Sequence, residues 1–139
     1  MMSVNTAKIL RPKKSVVELP HIDTFYIIAQ ETLVGIPERF REMAKDIEIV
    51  IENFADSETL ETLDIENKYD LLGLYRGVPY HSKSLTSLFT LPDKIFLYRC
   101  PLIRYARENK EDLNELVRHV LIHEMGHHFG CRDYDKPLN

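Results

Sequence analysis

The 139-residue chain has no tryptophan, only two cysteines (Cys100 and Cys131) and only five glycines. Two cysteines cannot build a disulfide framework, so the core must come from apolar burial; a reducing cytoplasm is the expected home. Long hydrophobic runs are missing as well. Apolar stretches such as Tyr26 to Ala29 span a few residues, far short of the roughly 18 needed to cross a membrane. Basic residues Lys8, Arg11, Lys13 and Lys14 near the start have no hydrophobic region behind them, which excludes a secretory signal there. Nor is there an excess of positive charge. Eighteen basic against 22 acidic residues leave a net charge of −4, a poor match to a nucleic-acid backbone. Repeats and low-complexity blocks are also absent.

What is present suits one soluble domain, with 44% hydrophobic and 29% charged residues. Residues 1–20 read as an irregular leader and 21–139 as the folded domain. Ile22, Phe25, Tyr26, Ala29 and Leu33 recur at helical spacing, with Asp23 or Thr24 as the expected cap. Gly35 and Pro37 separate this helix from a second carrying Phe40, Met43 and Ala44. Ile47, Ile49 and Ile51 form the apolar face of a strand. A short helix is predicted over 57–63 with Ser57 as cap, strands over 71–76 and 94–99, and a surface loop over 80–92. Pro101 is expected to start a helix through Arg107. A final helix is predicted from a cap at Asn109 to a stop at Gly130, with Leu113, Leu116, Val117, Val120 and Leu121 as its buried stripe. The order of elements predicts an α+β domain, a small sheet packed on helices.

The chemistry concentrates in that last helix. His123-Glu124-Met125-Gly126-His127 is an H-E-x-x-H motif. Residues four apart lie one helical turn apart on one face, so two imidazoles so placed can share a metal ion. Neutral imidazole suits zinc. Glu124 lies about 100° round the helix from His123, within reach of a water on the metal. With six histidines and 13 glutamates in the chain, the five-residue motif arises by chance about once in 40 such sequences. Gly130 and Asp133 then extend it to H-E-x-x-H-x-x-G-x-x-D, which makes coincidence far rarer. Catalytic zinc sites use three protein ligands and keep one position open. The glycine lets the chain turn back, so Asp133 is the chosen third ligand, with Asp135, Cys131, His119 or a water as alternatives. His119 reads otherwise as a packing or supporting residue, and His128 as a donor to nearby backbone. A zinc hydrolase is the expectation, with Glu124 as general base. Tyr75, Tyr80, Tyr98 and Tyr134 are candidates to assist at the oxyanion. Either Leu71 to Arg76 or Lys94 to Arg99 is a candidate edge strand for an extended peptide.

The segments Leu71 to Pro79, Leu91 to Arg99 and Val117 to Gly130 resemble the small bacterial zincin-like metallopeptidases, sometimes called minimal metalloproteases. The resemblance implies a zincin-like α+β fold, with a small mixed sheet above a C-terminal metal-binding helix. It implies metal ligands at His123 and His127, the catalytic carboxylate at Glu124 and the family's later acidic position at Asp133. It also implies a bound zinc ion and a peptide or protein substrate. Tyr134 stands where the family often has an acidic residue. Two other readings compete. One is a zinc-binding regulatory module with vestigial activity. The other is a non-peptide zinc hydrolase such as a ribonuclease, which the acidic net charge disfavours. The oligomeric state has no signature in the sequence.

Overall fold

The computed structural model describes residues 20–77 and 93–129. Among them the chain forms α1 (Ile22–Gly35), α2 (Glu38–Ala44), β1 (Glu48–Glu52), α3 (Ser57–Thr62), a 3-10 turn (Lys68–Asp70), β2 (Gly73–Arg76), β3 (Lys94–Tyr98), α4 (Arg99–Asn109) and α5 (Leu113–Phe129). The sheet has the order β1-β3-β2. β1 runs parallel to β3, pairing Ile49 with Ile95, and β2 runs antiparallel to it, pairing Tyr75 with Ile95. This is the mixed α+β arrangement that the order of elements predicts.

Strand alternation sorts the side chains to two faces. Ile51, Ile95 and Leu97 join Phe25 and Ile28 of α1, Leu102 of α4, and Val117, Val120 and Leu121 of α5 in the main core. Phe96 and Tyr98 point the other way, into a smaller cluster with Ala55, Val50, Leu60 and Leu74. β3 is therefore buried on both faces, which explains the unbroken apolar run Ile95-Phe96-Leu97-Tyr98. It is the central strand, so Lys94 to Arg99 is not an edge; among the described residues β2 is the antiparallel terminal strand.

Several boundaries differ from the sequence expectation, each for a local reason. α1 begins without a side-chain cap: His21 occupies that position, and its carbonyl accepts from Thr24 N at 3.0 Å. Asp56 rather than Ser57 caps α3, accepting from the Thr59 amide at 2.7 Å. β2 starts at Gly73, although the Leu72 carbonyl still accepts from Tyr98 N. α4 follows β3 directly and runs through Asn109, whose side chain bonds back to the Tyr105 carbonyl. Lys110, in the left-handed region with φ 54°, closes that helix. Asp112 then accepts from Asn114 N at 2.8 Å at the start of α5, the place expected for Asn109.

One close approach sets the height of the sheet over α5. A Cβ at Gly73 would lie 2.8 Å from Val120 Cγ1 and 3.1 Å from the Phe96 carbonyl oxygen. Only glycine lets β2 settle onto the helix that carries the H-E-x-x-H motif.

Candidate metal centre

α5 is anchored through its apolar stripe. Leu116, Val117, Val120, Leu121 and Met125 are buried, with Leu113 half-buried. That anchoring leaves the adjacent face for the polar residues. His123, Glu124 and His127 converge there, and one ligand atom from each lies within 4.8 Å of the others. The two imidazole centroids are 5.3 Å apart with the rings nearly perpendicular. Glu124 Oε1 stands 3.9 Å from His127 Nε2. The carboxylate side chain is 13% exposed and that of His127 43%, so the cluster opens outward at His127 and inward at Glu124.

This donor set fits a zinc ion: two imidazoles one turn apart, with a carboxylate beside them. A second observation agrees. Nδ1 of His123 is buried and has no hydrogen-bond partner among the described residues. A buried polar atom left unmatched costs about 1–3 kcal/mol, and such atoms mark places where an ion or water belongs. Asp133, together with Gly130, Cys131, Tyr134 and Asp135, lies outside the described residues, as does the loop expected over 80–92. His119 is exposed and does not join the cluster.

His128 turns away from the cluster, as expected from its position on the helix. Its Nε2 donates to the Met43 carbonyl at 2.7 Å. On the other side, its Nδ1 lies 2.9 Å from Asp93 Oδ2 and 3.1 Å from the Tyr75 hydroxyl. Tyr75 donates to Asp93 Oδ2 at 3.0 Å. Burial first, then the hydrogen bond and charge of Asp93, hold the Tyr75 hydroxyl well above the ordinary tyrosine range. It is a committed donor, so it is not a spare group for an oxyanion. Tyr98 is 2% exposed. Its hydroxyl is pushed up to about 12, mainly by burial and then by Glu52, with Asp56 and Glu124 adding and Arg76 opposing. Tyr80 and Tyr134 lie outside the described residues.

Sequence reasoning gave Asp93 no role. Its one signal was a carboxylate separated only by Lys94 from the apolar run Ile95-Phe96-Leu97-Tyr98, a position where a buried charge needs a partner.

A family model described as zincin-like metallopeptidase matches residues 44–136. The chain belongs to that family. The matched region covers the whole sheet and α5, and so contains the His123–Glu124–His127 cluster. No curated protein matches the chain. Among the described residues, no helix is long and apolar enough to cross a membrane.

Proposed function

We propose that this zincin-like metallopeptidase is a zinc-dependent peptidase in which His123, His127 and Asp133 hold the metal and Glu124 is the general base. The observation that carries the reading is the convergence of His123, Glu124 and His127 within 4.8 Å on one face of α5, in a chain of this family. Bound zinc would supply Lewis acidity toward the scissile carbonyl and lower the pKa of water from 15.7 to about 7. The chain's own residues do the rest. Glu124 accepts a proton from the attacking water at its carboxylate and returns it to the departing amine. Its limited exposure keeps that carboxylate in a medium where the nearby charges are felt strongly. β2 is the strand onto which an extended peptide pairs, because among the described residues it ends the sheet and it packs directly on α5. The proposal includes a cytoplasmic location, in keeping with the free thiol of Cys100. Peptides are its substrates, with neither nucleic acid nor membrane as partner.

A peptide-library screen with zinc-loaded protein tests this, with single-stranded RNA as the comparison substrate. Peptide cleavage is expected and RNA cleavage is not. Glu124→Gln should retain zinc and lose about 10²- to 10⁴-fold in turnover, the usual worth of a general base. Full turnover in that variant would exclude the role given to Glu124. Stoichiometric zinc with no hydrolysis by the wild type would point instead to a binding module.

A further inference from the structure

His128 is 1% exposed and Asp93 5%, and each is held from more than one side. The Met43 carbonyl only accepts, so His128 Nε2 carries a hydrogen. Asp93 Oδ2 also accepts from the Tyr75 hydroxyl at 3.0 Å and lies 2.9 Å from His128 Nδ1. Four segments meet here: α2 through Met43, β2 through Tyr75, the entry to β3 through Asp93, and the last turn of α5 through His128. The fit is close. A Cβ at Gly77 would lie 2.3 Å from Asp93 Oδ1, so the backbone after β2 is pressed against the same carboxylate.

The location gives the network its consequence. His128 directly follows His127. The Tyr75 ring that reaches Asp93 and His128 with its hydroxyl also lies within 10° of parallel to the His127 ring, their centroids 6.5 Å apart. Helix ends fray unless something holds them, yet this final turn must present His127 in a fixed direction. Phe129 adds an apolar hold, stacking on Phe40 of α2 at 4.9 Å.

We infer that Tyr75, Asp93 and His128 are positioning residues for the metal centre, a buried lock that fixes the last turn of α5 and orients the His127 ring toward the cation. The inference rests on the zinc reading above. Groups that orient metal ligands without touching the metal are commonly worth 10- to 100-fold in affinity.

Zinc affinity of the full chain, measured by chelator competition under native conditions, separates positioning from mere stabilisation. Tyr75→Phe keeps the ring and removes the hydroxyl. Asp93→Ala removes the carboxylate. Asp93→Asn keeps the pattern without the charge, since its amide can donate both to a neutral His128 Nδ1 and to the Tyr75 oxygen. Tyr75→Phe and Asp93→Ala should bind zinc about 10- to 100-fold more weakly while circular dichroism shows them folded. Asp93→Asn should lie closer to wild type than Asp93→Ala. If Asp93→Ala does not fold, Tyr75→Phe alone decides. Folded Tyr75→Phe with wild-type zinc affinity would overturn the lock's role, whatever its melting temperature. A wild-type chain that binds no zinc would overturn the metal reading itself, and the lock's role with it.

Discussion

Asp56 shows how much a single side chain decides. Its carboxylate caps α3, and its hydrogen bonds to Thr59, with a smaller pull from Arg76, hold its pKa below the ordinary 3.8. A carboxyl depressed in the folded state adds stability above its unfolded pKa and loses it as pH falls through the folded value. Asp56→Ala should therefore melt at a lower temperature than wild type at pH 7, and the gap should narrow once the pH drops below 3.8. A gap that widens in acid would contradict this account of the cap. The same scale holds the residues hardest to read beforehand. Ser57 and Asp56 are both good caps, and only the fold selects between them. Asp93 and Tyr75 gain meaning from His128, which is 35 and 53 positions away; nothing local in either neighbourhood encodes that meeting.

At the scale of elements, the contact between β2 and α5 sets how closely the sheet sits over the site. Gly73→Ala should cost about 1–3 kcal/mol in urea unfolding, because the new methyl meets Val120 and the Phe96 carbonyl. Val120→Ala in the same chain should recover part of that loss, since it removes the nearer obstacle. A Gly73→Ala protein as stable as wild type would show that the strand does not sit so tightly on the helix. The elements themselves were largely legible. The periodic stripes of α1 and α5, the alternation of β1 and the apolar run of β3 are strong local signals, because burial on one face or two imposes them. Sheet order was not. Either of two strands was a candidate edge, and it is pairing across the chain that puts β3 in the centre, with β2 outside among the described residues. Helix ends shifted for a similar reason. Asn109 looks like an opening cap, yet it completes α4, with Lys110 taking the left-handed turn that separates the two helices.

For the molecule as a whole, the family match begins at residue 44, but the folded core begins earlier. Phe25, Ile28 and Ala29 of α1 are buried against the same core as Val117 and Leu121 of α5. The helix bearing the motif is thus held from the sheet side and from α1 together, and only its polar face is left for chemistry. The motif was readable in the sequence because residues four apart must share a helical face; the low exposure of Glu124 and the buried His123 nitrogen with no partner among the described residues were not, since they depend on that packing. The most direct test of the central claim is the zinc content of the purified chain, by elemental analysis, beside His123→Ala and His127→Ala. One equivalent in the wild type and none retained in either variant is the predicted result. A wild type without zinc, or unchanged zinc in both variants, would contradict it.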